Sequence, residues 1–233
     1  MKTKARPSAT RDRFAGWPKP ALQFFSGLQK DNSKAFFEAH RATYEDDVRG
    51  PMEALLAELQ RDFGAGWDSK IFRLNRDLRF SPDKRPYKEH IGAVFMSSAR
   101  ATGFYVQLSA EGLYAVNGAH EMMPDQMTRY RDAVAEKDGD KVARMLATLV
   151  KAGYNVTDPS LKRVPAGYAS DHPRADLLRR TGLMAGRSWR PGPWLQSAEA
   201  LARVRQLLKD TKPLTTWLEA RVGPSKTPMG QRR

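Results

Sequence analysis

Apolar residues recur at helical spacing up to residue 63 and at every second position from residue 71. This change of period limits the folds open to the chain, because helix faces and strand faces must then be buried against one another. Pro20 suits a first helical turn, and Leu22, Phe25 and Leu28 follow it as a stripe. Asp31-Asn32-Ser33 breaks that helix and caps the next, whose inward face carries Phe36, Phe37, His40, Tyr44 and Val48. Gly50-Pro51 interrupts the pattern and starts a further helix with Met52, Leu55, Leu56, Leu59 and Phe63 on one side, closed by Gly64 and Gly66.

From Ile71 to Phe80 the alternation predicts a strand. Phe72, Leu74, Leu78 and Phe80 share one face, interrupted by Arg76, and Arg73, Asn75, Asp77 and Arg79 share the other. Ser81-Pro82-Asp83-Lys84 has the chemistry of a type I turn. Ile91 to Met96 reads as a strand. Gly103 to Ser109, with Phe104, Val106 and Leu108 on one face, forms a hairpin with Leu113 to Val116 about Ala110-Glu111-Gly112. Helices follow at Pro124 (Met127, Tyr130, Val134) and Asp138 (Val142, Met145, Leu146, Leu149, Val150). Then come a short helix opened by Pro173, a strand from Leu183 to Trp189, a helix with Leu201, Val204, Leu207 and Leu208, and a last short helix with Leu214, Trp217 and Leu218. Strict β-α-β alternation is absent. The order predicts a single α+β domain, an antiparallel sheet packed with helices, over residues 19–221, between a basic disordered arm (1–18) and a basic disordered tail (222–233).

Charge points first to nucleic acid, since the net value is +14. Its distribution is uneven. Residues 1–13 hold five Lys or Arg and one Asp, and residues 221–233 hold four and no acid, so the ends carry +8 and the rest +6. Nucleic acid is therefore expected, if at all, through the basic tails. No apolar run approaches the roughly 18 residues of a membrane helix. The basic N-terminus is followed by no apolar stretch of the secretory kind, and there is no cysteine. A cytoplasmic protein without membrane attachment is the expectation.

Phosphate loops, dinucleotide fingerprints, nucleophile elbows and His-Glu-x-x-His are all missing. What remains is the segment 73–88, rich in Arg and Lys with Asp77 and Asp83 among them. On a strand, Arg73, Asp77 and Arg79 project from one side, so Asp77 is within reach of two guanidinium forks. Two readings follow. In one, the carboxylate is held by both arginines as a structural clamp. In the other, Asp77 orients the arginines, and their free donors, with Lys84, Tyr87 and Lys88, line a pocket for phosphate or carboxylate. Arg76 points inward and must reach an acid or a carbonyl, because an unpaired buried charge is too costly. A second cluster runs from Lys162 and Arg163 to Asp171, His172 and Pro173. Asp171 or His172 either caps the following helix or joins Lys162 and Arg163 at the same cleft as an acid–base pair. Asp77, Asp171 and His172 are thus the catalytic candidates. His90 and His120 are further candidates. His40 has no partner in metal-binding spacing, and no metal site is expected.

The run Arg76 to Lys88, Arg-Asp-x-Arg-Phe-Ser-x-Asp-Lys-x-Pro-Tyr-Lys, resembles the signature of a conserved family of uncharacterised bacterial and fungal proteins, a domain of unknown function. The likeness extends over roughly residues 20–190, through Leu22 to Asn32, Gly103-Phe104-Tyr105, Pro124 to Arg131 and Lys162 to Pro173. It departs at Val116 to His120, where such proteins often carry a glycine-rich run and an aromatic residue. The resemblance implies no established activity, cofactor or catalytic residue. The first function to weigh is a module that binds an anionic small molecule at the 73–88 segment. The others are an enzyme on phosphorylated or nucleic-acid substrates and a nucleic-acid-associated protein that uses its basic tails.

Overall fold

The structure is a computed structural model and describes residues 13–79, 82–97 and 99–226. Helices α1 (Lys19–Lys30), α2 (Lys34–Ala39), α3 (Arg41–Thr43) and α4 (Gly50–Phe63) come first. They are followed by β1 (Asp68–Ile71), β2 (His90–Met96), β3 (Gly103–Ser109), β4 (Gly112–Ala119), α5 (Pro124–Ala135) and α6 (Asp138–Lys151). The last are β5 (Asn155–Val156), α7 (Ala175–Leu178), β6 (Leu183–Trp189) and α8 (Glu199–Arg221). The strands form one antiparallel sheet in the order β1-β2-β3-β4-β6-β5. This is the α+β domain that the two periods imply, and the β3–β4 hairpin turns where expected, with Ser109 opposite Gly112.

Alternation decides which face is covered. Ile91, Ala93 and Phe95 of β2 stand opposite Leu108, Val106 and Phe104 of β3, and all six are buried. Leu113, Ala115 and Asn117 of β4 continue that row. Phe63 of α4 stacks on Phe95 with ring centroids 4.8 Å apart. α8 crosses β4, where the Asn117 amide donates to the Thr211 hydroxyl at 2.9 Å. The opposite face is half-buried or exposed at Lys70, Val94, Tyr105, Gln107, Tyr114 and Ser188.

Three expectations need correction. Gly50-Pro51 does start a helix, α4, with Pro51 in its first turn, but no break precedes it. Residues Tyr44–Arg49 take a π-helical turn, and the Gly50 amide donates to Glu45 O five residues back. Pro51 has no amide to donate, so the wider turn falls where a regular ladder would lose a bond anyway. Likewise, the two C-terminal helices are one, α8, with Pro213 inside it. Leu207, Thr211, Leu214, Trp217 and Leu218 form one buried stripe across the proline, and this burial outweighs the missing bond.

The chain ends also join the core earlier than expected. Phe14 and Trp17 are buried, Trp17 N donates to Leu195 O at 2.8 Å, and its indole donates to Val48 O at 3.3 Å. Gly16 makes the approach possible with φ +101°, and a Cβ there would lie 2.2 Å from Ser197 N. At the other end Val222 is buried. Asp125 accepts from the Ser225 hydroxyl at 2.7 Å and from Lys226 N at 2.9 Å. The rest of the expected arm and tail, residues 1–12 and 227–233, lies outside the described residues.

Candidate functional site

The expected strand Ile71–Phe80 is the largest correction. The ladder with β2 ends at Ile71, extended only by Phe72 N donating to Gly92 O at 2.9 Å. The chain then makes an excursion before β2, closed by a single bridge between Asn75 and Tyr87. Arg76 N donates to Pro86 O and Lys88 N to Leu74 O, both at 2.9 Å. Beyond the bridge, Asp77 Oδ1 accepts from Arg79 N at 3.2 Å and Asp83 Oδ1 from Arg85 N at 3.0 Å. Aspartates that bond the amide two residues on compete with a ladder, and Pro82 and Pro86 cannot donate to one. Phe80 and Ser81 lie outside the described residues.

Tyr87 anchors the excursion. It is buried and stacks on Phe37 at 4.7 Å. The Asn32 side chain accepts from Tyr87 N at 2.9 Å and donates to Tyr87 O at 3.3 Å, as a neighbouring strand would. Arg76 reaches both partners its position demands: its Nε donates to Tyr87 O at 2.8 Å, and its Nη1 pairs with Asp83. Arg85 grips Asp83 from the other side, with Nη2 at 2.8 Å, and also pairs with Glu89. The Arg85 side-chain and backbone donors, and then the Arg76 charge, hold the Asp83 carboxyl far below the usual carboxylate range.

Most of the candidate cations are therefore already engaged. Arg79 meets Asp77 in a fork, Nε to Oδ1 at 2.9 Å and Nη2 to Oδ2 at 2.6 Å. This lowers the Asp77 pKa, with the Arg73 charge as a smaller cause. Asp77 is thus clasped by one arginine rather than two. Lys84 Nζ donates to Leu78 O at 3.1 Å. Lys88 Nζ donates to Arg73 O at 3.0 Å and lies 5.7 Å from the centre of the Phe72 ring. Lys70 Nζ lies 6.0 Å from the same centre. Among the described residues, Lys70, Arg73 and Lys88 are in no ion pair. Burial and then the charges of Arg73 and Arg76 lower the Lys88 pKa. His90 is lowered too, by burial and then by Lys88 and Arg76, with Glu89 acting against them.

The second cluster does not join the first. The segment 73–88 lies beside β1 at the end of the sheet where β2 begins and Ser109 pairs with His90. The segment 157–182 follows β5 and leads into β6 at the opposite edge and opposite end, where Leu183 pairs with Ala119. β1 and β6 are separated by four strand spacings, roughly 19 Å. Lys162, Arg163 and Asp171 are exposed there. His172 Nδ1 accepts from Arg174 N at 3.0 Å, an amide before α7, and no described side chain caps the first turn of that helix. His40 packs on Phe36 at 4.1 Å, with its Nδ1 2.8 Å from Phe36 O. Among the described residues no group of three His, Asp or Glu side chains could hold a metal ion, and no helix is long and apolar enough to cross a membrane.

Sequence reasoning missed Asn32, whose partner is 55 residues away. It also missed the row Phe72, Tyr105 and Tyr114 on the uncovered face. The signal was present: β3 and β4 carry tyrosines at positions where alternation assigns the side away from the core.

The fold and this corner define a single α+β domain with an internally braced basic excursion. Over residues 20–217 the chain matches, and belongs to, the conserved hypothetical protein family DUF2461. No functionally curated protein matches it.

Proposed function

We propose that the chain is a binding module for a phosphate- or carboxylate-bearing ligand, whose anionic group sits against Lys70, Arg73 and Lys88 over Phe72. The observation that carries this reading is the convergence of two ammonium groups on one ring, 5.7 and 6.0 Å from its centre, with Arg73 beside them. The other cations of the excursion are engaged by Asp77, Asp83, Glu89 and main-chain carbonyls. Of these, Arg76, Arg79 and Arg85 are neutralised in ion pairs and brace the corner, whereas Lys88, though bonded to Arg73 O, keeps its charge unpaired among the described residues. Binding is favoured over catalysis because Asp77 is clasped by Arg79, while Asp171 and His172 stand at the far edge of the sheet. A cytoplasmic setting fits the cysteine-free composition.

The test is thermal unfolding with inorganic phosphate, pyrophosphate and succinate, on wild type, Lys88→Met and Arg79→Ala. At 100 times its dissociation constant, a ligand stabilises by about 2.7 kcal/mol. Pyrophosphate is expected to stabilise wild type and Arg79→Ala, and to lose most of its effect on Lys88→Met. If none of the three compounds stabilises wild type, or if Lys88→Met responds as wild type does, the reading falls.

A further inference from the structure

The uncovered half of the sheet continues from the basic corner, and it is not an ordinary solvated face. Phe72, Tyr105 and Tyr114 succeed one another across it, with centroids 6.4 and then 6.3 Å apart. The rings are tilted by 44° and 57° to one another, so they do not close into a stack of their own. Tyr105 lies down across β2 because position 92 is glycine: a Cβ there would come within 2.5 Å of the Tyr105 hydroxyl and 3.0 Å of its ring. The hydroxyl is tied in place by donating to Gln107 Oε1 at 2.8 Å.

Beyond Tyr114 the face deepens into an open depression of about 560 Å³, lined in part by Gln107, Ser109, Ser188 and Arg190. That volume lies within the range of small-ligand sites, about 300–1,000 Å³. The row of rings thus has cations at both ends: Lys70, Arg73 and Lys88 beside Phe72, and Arg190 beyond Tyr114. The acids at its margins are Asp68, Glu111 and Glu89, and Glu89 is paired with Arg85.

We infer that this face receives single-stranded nucleic acid, with bases on Tyr105 and Tyr114 and backbone phosphates on the cations beside Phe72 and on Arg190. The inference rests on the anion-binding reading above and names its ligand class. Three physical points carry it. Half-buried aromatic rings on an open sheet are a surface on which unpaired bases stack without regard to sequence, because every base has a π-face. Their spacing is close to twice the rise of stacked nucleotides along one strand, about 3.4 Å, which suits bases splayed from one another. Among the described residues, the four cations around the rings, Lys70, Arg73, Lys88 and Arg190, outnumber the acids at their margins that are free of an ion pair, Asp68 and Glu111, which suits a phosphate backbone. A protein partner fits less well, since Met96 is the one large hydrophobic residue exposed on this face among the described residues.

The experiment is fluorescence anisotropy on the full chain with labelled 12-mers of deoxythymidine, of uridine, of abasic deoxyribose phosphate, and a 12-base-pair duplex. Variants Tyr105→Leu, Tyr114→Leu and Arg190→Gln are compared with wild type, and pyrophosphate stabilisation is measured on each. The basic ends are common to all proteins, so ratios between variants isolate the face. The thymidine or uridine strand is expected to bind at least tenfold more tightly than the abasic strand and the duplex. Each tyrosine variant should weaken that binding about tenfold, in line with base stacking on an aromatic residue. Neither should alter the pyrophosphate response. Arg190→Gln, which removes no ring, should weaken the base-bearing strand and lower its salt dependence.

If abasic and base-bearing strands bind alike, or if the duplex binds best, the stacking inference is overturned while the phosphate corner stands. If both tyrosine variants and Arg190→Gln bind as wild type does, it is overturned as well. If neither pyrophosphate nor any strand binds, both readings fall together.

Discussion

Asn32 shows how a residue with ordinary local chemistry can hold a distant motif. In sequence it belongs to a helix break, and Ser33 beside it does cap α2, accepting from Phe36 N at 3.1 Å. Its own amide spans instead to Tyr87, satisfying an N–H and a carbonyl on a residue only 5% exposed. Replacing it by alanine leaves that buried N–H without its acceptor. Asn32→Ala is expected to cost about 1–3 kcal/mol, the penalty of an orphaned buried polar group, as read from urea unfolding. A loss below about 0.5 kcal/mol would mean that water satisfies Tyr87 as well as Asn32 does. Arg76 was legible where Asn32 was not. A charge on an apolar phase needs an acid or a carbonyl by electrostatics alone, and it found Asp83 and Tyr87 O. The Asn32 partner depends on tertiary structure, which no local pattern encodes.

Among the elements, the strands and helices with a long unbroken period were readable, and the errors gather at prolines and aspartates. The stripe ending at Leu208 and the one starting at Leu214 were read as two helices, yet burial of one continuous face carried α8 through Pro213, while Pro51 stands in the first turn of α4 with no break before it. Alternation through residues 71–80 was read as a strand, but side-chain bonds from Asp77 and Asp83 took the place of a ladder. The face away from the core was likewise under-read, because tyrosine fits a pleated surface whether or not it serves a ligand.

The end of α8 has a device of its own. Asp125, in the first turn of α5, holds the chain after Val222 through Ser225 and Lys226 N, and Arg129 adds a bond to Pro224 O at 2.9 Å. The Lys226 amide first, and then the Ser225 hydroxyl and Arg129, push the Asp125 pKa from 3.8 down to about 2. A carboxyl lowered in the folded state contributes stability that is full above its unfolded value and lost as pH falls through its folded value. The attachment of residues 224–226 is therefore expected to hold at pH 5 and to weaken between pH 4 and 2. Protection of the Lys226 amide from hydrogen exchange should fall across that window, after correction for the intrinsic rate. In Asp125→Asn it should already be low at pH 5. Protection that is flat with pH in wild type would remove Asp125 as the anchor.

At the scale of the whole molecule, one topological fact separates what local reading had merged. Two basic segments with histidine and aspartate invite assembly into one cleft, and nothing in a single sequence states the order of strands between them. The observed order puts β1 and β5 at opposite edges, so the corner at Lys88 and the segment at Arg163 sit across the width of the sheet. Sites farther apart than about 7–10 Å without shared partners act additively. Arg163→Ala is accordingly expected to leave pyrophosphate stabilisation unchanged. The double variant with Lys88→Met should then match Lys88→Met alone in ligand response, with stability changes that add to within about 0.5 kcal/mol. A cycle run by thermal unfolding with and without pyrophosphate measures both terms. Coupling well above that limit, or a ligand response lost in Arg163→Ala, would require the two segments to meet. The anion would then lie on neither edge but between them, against a sheet order fixed by registered pairing from Asp68 to Trp189.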